Sequence, residues 1–156
     1  MSTVETLEPR EVFHYFEEIA AIPHGSGHAG AISDYLAVFA EKRGLSYRQD
    51  EMGNVVIRKP ATPGYEDQPG VILQGHMDMV CEKIRECPLD MEKDGLLLCT
   101  DGEKLWADGT TLGGDDGIAV AYALAVLDST TIPHPPLEVI LTVDEEIGLL
   151  GAAGLD

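Results

Sequence analysis

Apolar residues recur along this chain in two rhythms, one with helical spacing and one of short unbroken runs. Val12, Phe13, Phe16, Ile19 and Ala20 fall at helical spacing and predict a helix over residues 8–20, which Pro23 helps to end. A second helix is predicted over residues 28–43, with Ile32, Tyr35, Leu36 and Phe39 on one face and Gly44 as its stop. Residues 46–49 and 54–58 read as two short strands joined by a turn at residues 50–53. A loop with Pro and Gly over residues 61–69 leads to Val71-Ile72-Leu73, an apolar run that ends at Gln74-Gly75-His76 and suits a buried strand. Residues 82–109 mix charge, glycine and scattered hydrophobes, and predict a loop with short strands. A helix is expected from Gly114; its stretch 118–127 is apolar almost all round and belongs inside the fold. Pro133, Pro135 and Pro136 mark a loop before a second buried-strand run at residues 137–143, and Asp144-Glu145-Glu146 follows at once.

Helices that alternate with apolar strands predict an α/β fold with a mixed, mainly parallel sheet flanked by helices, in which the 46–58 pair forms an antiparallel edge. The length, 156 residues, suits one domain with a core of its own. No internal repeat or low-complexity tract interrupts it.

Charge narrows the range of functions. Lys and Arg number 10 against 28 Asp and Glu, for a net charge of -18. That balance argues against a nucleic-acid backbone as partner, which calls for a basic patch. Apolar runs fall short of the roughly 20 residues that span a bilayer, and the first residues carry acids rather than an apolar signal core, so the expected compartment is the cytoplasm. Three cysteines, Cys81, Cys87 and Cys99, form no C-x-x-C pair and read as packing thiols.

Candidate chemistry sits where the strands end. Ligands of open α/β sheets bind outside the carboxyl ends of the strands. The first apolar run ends in His76-Met77-Asp78 and the second in Asp144-Glu145-Glu146, while Gly113-Gly114-Asp115-Asp116-Gly117 opens the buried helix. Residues two apart on a strand share a side, so Asp78 is placed to orient the His76 ring. Either aspartate of the 115–116 pair can serve as a helix cap, and both doing so is the less expected arrangement. Two carboxylates about 4 Å apart repel by roughly 4 kcal/mol at an effective dielectric near 20. No Lys or Arg lies within the three clusters. A divalent cation is the economical source of neutralisation, and one histidine among carboxylates suits zinc, manganese or cobalt better than calcium. Two such ions sharing a carboxylate would support hydrolysis, with a nearby glutamate as general base. These residues alone leave open which glutamate is ligand and which is base.

Other signals are weaker. Gly25-Ser26-Gly27-His28-Ala29-Gly30 matches G-x-G-x-x-G, but a helix rather than a strand precedes it, so it reads as a connecting turn. Residues 101–111 lack the alternating ligands of a calcium loop. Ser26 and Ser129 lack a nucleophile-elbow context. His14, His24, His28 and His134 show no paired ligand spacing, and His14 and His28 read as surface or packing residues.

Three stretches carry a family resemblance: Leu73-Gln74-Gly75-His76-Met77-Asp78-Met79-Val80-Cys81-Glu82, Gly109-Thr110-Thr111-Leu112-Gly113-Gly114-Asp115-Asp116-Gly117-Ile118 and Thr142-Val143-Asp144-Glu145-Glu146-Ile147-Gly148. The chain resembles the aminoacyl-histidine dipeptidases, a branch of the co-catalytic zinc peptidases that includes peptidase T, carboxypeptidase G and the aminoacylases. The resemblance implies that two divalent ions, zinc first, are held in part by His76, Asp115 and Glu146, with Asp115 bridging. It implies that Asp78 orients His76 and that Glu145 activates a metal-bridged water to cleave dipeptides, aminoacyl-histidine dipeptides in particular. A tripeptidase, a carboxypeptidase, an amide deacylase or an inactive cation-binding fragment is the alternative. The branch usually carries Ala and Asn where this chain has Gly114 and Asp116, which adds a negative charge beside the bridging position. Members are longer, with a further carboxylate ligand, a late histidine ligand and an inserted domain that commonly forms a homodimer. Residues 1–156 are thus expected to be the N-terminal portion of the catalytic domain, inactive by itself.

Overall fold

The structure is a computed structural model that describes residue 4 and residues 6–155. Helix α1 (Arg10–Ala20) buries Val12, Phe16, Ile19 and Ala20 as the periodicity predicts, with Tyr15 rather than the half-buried Phe13 completing the stripe. Helix α2 (Gly30–Lys42) buries Ile32, Leu36, Phe39 and Ala40. Gly44 follows it at φ +66°, a left-handed conformation that costs glycine little, and the chain enters β1 (Ser46–Gln49). Strand β1 pairs antiparallel with β2 (Val55–Lys59). Asp50 closes the turn between them, its Oδ1 accepting the amides of Met52 and Asn54 at 2.9 Å each.

Strand β3 (Val71–His76) is followed by a small antiparallel pair, β4 (Leu98–Thr100) and β5 (Leu105–Ala107). Helix α3 (Gly114–Asp128) then packs against α1 and β3, and β6 (Leu137–Thr142) and the short α4 (Leu150–Ala153) complete the described chain. The sheet order is β1-β2-β6-β3. Only β3 and β6 run parallel; β2 pairs antiparallel with both β1 and β6. The expectation of a mainly parallel sheet is therefore corrected. The 46–58 hairpin forms an antiparallel edge as expected, and β2 carries the antiparallel relation into the sheet by pairing with β6 on its other side.

One face of this sheet is packed. Val55, Ile57, Val139 and Leu141 are fully buried and join Ile19, Leu36, Phe39, Val120 and Leu124 in a continuous core. The other face is more open: Ile72 is 62% exposed, and Val56, Glu138 and Ile140 are only partly covered. The run at residues 71–73 was expected to be buried, but β3 is an edge strand with its outer face open. An unbroken apolar run reports hydrophobicity on both faces, not whether both are covered. The cysteine reading also changes: Cys81 is exposed, Cys87 and Cys99 are half-buried, and all three are free thiols.

Candidate metal centre

Strands β3 and β6 run parallel with His76 opposite Thr142, so their carboxyl ends lie side by side. The chain stays tied beyond that point, with the Met77 amide on the Thr142 carbonyl at 2.8 Å. The start of α3 leans over the same edge, where Asp116 Oδ2 accepts the His76 amide at 3.3 Å. This approach needs Gly75: a Cβ there would lie 2.7 Å from Asp116 Oδ2 and 3.3 Å from the Ala119 side chain.

His76 is buried and its ring spans the cluster. Nδ1 lies 3.0 Å from the Asp78 carbonyl oxygen and 3.4 Å from the Asp78 carboxylate. A carbonyl only accepts, so Nδ1 carries a proton and the Nε2 edge faces the remaining acids. Nε2 is 3.1 Å from Asp115 Oδ1 and 3.8 Å from Glu145 Oε2. Burial works to lower the imidazole pKa, but the Asp115 hydrogen bond and the Asp78 charge outweigh it, and the net shift is upward.

The aspartate pair divides its labour. Asp115 and Asp116 have non-helical backbone angles, so regular helix begins after them rather than at Gly114. Asp116 turns inward, where its carboxylate accepts the His76 amide. Burial raises its pKa above the ordinary carboxylate value. Asp115, with its side chain 87% exposed, turns toward the open side and meets His76.

One donor atom from each of His76, Asp115 and Glu146 lies within 4.8 Å of the others. Among the described residues, His76 is the only cationic group within ion-pair reach of Asp78, Asp115 and Glu145. A borderline nitrogen donor and two carboxylates, short of positive charge and at converging distances, fit a divalent transition-metal ion. The five residues singled out in the sequence thus fall in one cluster, with Asp78 and Glu145 flanking the triad.

The chain matches Peptidase family M20/M25/M40 over residues 72–155, which span all three clusters. The chain belongs to this family. It is 44% identical to the cytosol non-specific dipeptidase of Escherichia coli (strain K12) over 155 residues, 99% of this chain and 32% of the relative. The aminoacylhistidine dipeptidase of Vibrio alginolyticus superposes with a TM-score of 0.95 at 46% identity, over 99% of this chain and 32% of that one. A tripeptidase from Staphylococcus aureus gives a TM-score of 0.77 at 26% identity, over 97% of this chain and 40% of its own. The chain therefore spans about a third of the length of the dipeptidases it matches. It is homologous to dipeptidases, and that similarity extends over 99% of its own residues.

Two supporting residues of this M20 chain escape the sequence patterns. Asn54 is buried; its Oδ1 accepts the Val143 amide at 3.0 Å and its Nδ2 donates to the Gly151 carbonyl at 3.0 Å, bracketing the segment that carries Glu145 and Glu146. Ser26 donates to Asp78 Oδ2 at 2.7 Å. Neither has a spacing signal toward the centre, since their partners there lie 52 to 97 residues away.

Proposed function

We propose that this chain is the N-terminal portion of the catalytic domain of a two-metal dipeptidase acting on short peptides, with aminoacyl-histidine dipeptides as the first substrates to assay. The observation that carries the reading is the convergence of His76, Asp115 and Glu146 donors within 4.8 Å. His76 Nε2 and one oxygen each of Asp115 and Glu146 would hold divalent ions, zinc first and manganese or cobalt next, with Asp115 shared between two. Such ions supply Lewis acidity at a peptide carbonyl.

The chain's own residues do the rest. Asp78 orients the His76 ring through its carbonyl and carboxylate. Glu145, with Oε2 3.8 Å from His76 Nε2 and its side chain 35% exposed, is open to solvent at the edge of the donor set. It takes a proton from the attacking water on its carboxylate and returns one to the departing amine. Burial of Asp78 beneath the cluster keeps bulk water from the inner side of the site. The full-length protein is proposed to work in the cytosol as a homodimer, and residues 1–156 alone to be inactive, because the remaining ligands and the substrate pocket lie elsewhere in the longer protein.

Glu145→Ala in the full-length protein tests this. Hydrolysis should fall by at least a hundredfold while the bound-metal content stays at the wild-type level. Undiminished hydrolysis in that variant removes Glu145 as the base. The similarity to a tripeptidase favours a second reading with the same chemistry, and competing dipeptide and tripeptide substrates against each other separates the two.

A further inference from the structure

The turn at residues 25–27, set aside above as a connecting turn, is wired into the candidate centre on both sides. Gly25 forms a parallel bridge with Met79, and the Ser26 amide donates to the Met79 carbonyl at 3.1 Å. The Met79 amide in turn donates to the His24 carbonyl at 3.1 Å. Gly25 packs so closely that a Cβ would fall 2.6 Å from Cys81 Sγ. Gly27, at φ +78°, presents its amide to Asp144 Oδ1 at 2.7 Å. The turn thus holds the chain just after His76 with one end and the chain just before Glu145 with the other.

Ser26 lies between these anchors and reaches the buried carboxylate. Asp78 has a side chain wholly shielded from solvent, so its oxygens depend on protein donors. Oδ1 accepts the Glu145 amide at 3.0 Å. Oδ2 accepts the Ser26 hydroxyl at 2.7 Å and the Glu146 amide at 3.4 Å. The hydroxyl makes the shortest of these bonds; without it, Oδ2 keeps one long contact. The same carboxylate lies 3.4 Å from His76 Nδ1. Its rotation would therefore disturb the histidine ligand, the glutamate base and the glutamate ligand together.

We propose that Ser26 is a positioning residue of the metal centre, which locks the Asp78 carboxylate in the orientation that aims His76, Glu145 and Glu146. The proposal rests on the reading of the site as a metal centre. Removing an outer partner of this kind lowers metal affinity by about ten- to a hundredfold.

The experiment uses the full-length protein and compares wild type, Ser26→Ala and Ser26→Thr. Zinc affinity is measured by calorimetric titration, the visible absorption spectrum of the cobalt-loaded protein is recorded, and the thermal midpoint of the metal-free protein is taken. Ser26→Ala should lose about tenfold or more in zinc affinity and change the cobalt spectrum. Ser26→Thr, which keeps the donor hydroxyl, should restore both. Wild-type affinity and spectrum in Ser26→Ala overturn the proposal, as does a lowered metal-free midpoint with an unchanged spectrum, which marks a merely structural role. Failure of the wild-type protein itself to bind zinc or cobalt defeats the metal-centre reading on which the proposal stands, and is told apart by that.

Discussion

At the scale of single residues, the centre depends on close approaches that allow few substitutions. Gly75 is the sharpest case. A methyl at this position meets the Asp116 carboxylate and the Ala119 side chain, so either the strand end or the start of α3 must shift. Gly75→Ala in the full-length protein should cost about 1–3 kcal/mol of stability, the usual range for overpacking. Urea denaturation reads that cost, and metal affinity should fall with it because His76 and Asp115 lie on the two displaced segments. An unchanged urea midpoint would show that the 2.7 Å approach relaxes freely.

Between elements, three helices are joined by a clip far from the metal cluster. Arg43 at the end of α2 pairs with Asp128 at the end of α3 through a 2.5 Å contact, donates to the Tyr15 hydroxyl of α1 at 2.9 Å, and stacks over Phe39 at 3.7 Å. Burial, with the bond to Asp128, pushes the Tyr15 pKa up to about 12. Burial also pushes the Asp128 carboxyl up, but the Arg43 guanidinium and Tyr15 hydroxyl outweigh it and leave it below its ordinary value. A carboxylate held lower in the folded state adds stability that is fully present above its unfolded pKa, roughly 4, and is lost as pH falls through the folded value. Asp128→Asn should therefore destabilise by less than about 1 kcal/mol at pH 7, since the pair is part-exposed. The difference from wild type should shrink at a second, acidic pH below the ordinary carboxylate range. Denaturation curves at the two pH values check this, and a gap that widens in acid contradicts it.

For the whole molecule, the excess of acids and the gathered carboxylates mean that the proposed metal would be a structural partner as well as a chemical one. A ligand that binds only the folded state stabilises by about 2.7 kcal/mol at a hundred times its Kd. Zinc at that level should raise the thermal midpoint of the full-length protein, and a chelator should reverse the rise. Substituting Glu146→Gln should reduce the effect, because it removes a negative donor from the converging triad. An identical midpoint with zinc and with chelator would count against the site.

Taken alone, the sequence pointed to most of the elements and to the residues of the candidate site. The turn chemistry at Asp50, the stop at Gly44 and the spacing of Val12, Phe16 and Ile19 are local, and local geometry is what periodicity encodes. His76, Asp78, Asp115, Glu145 and Glu146 were legible because each sits just beyond an apolar run or at a helix start. Tertiary structure alone decided the sheet direction, since β2 meets β6 across 78 to 86 residues and no local pattern states which neighbour a strand will choose. It alone separated Asp115 from Asp116, giving one to the His76 ring and the other to the His76 backbone amide, through contacts that span about 40 residues. It also turned Ser26 and Asn54 into supports of the centre. Hydrogen bonds between distant segments leave no period in the sequence, because their geometry exists only once the chain has folded.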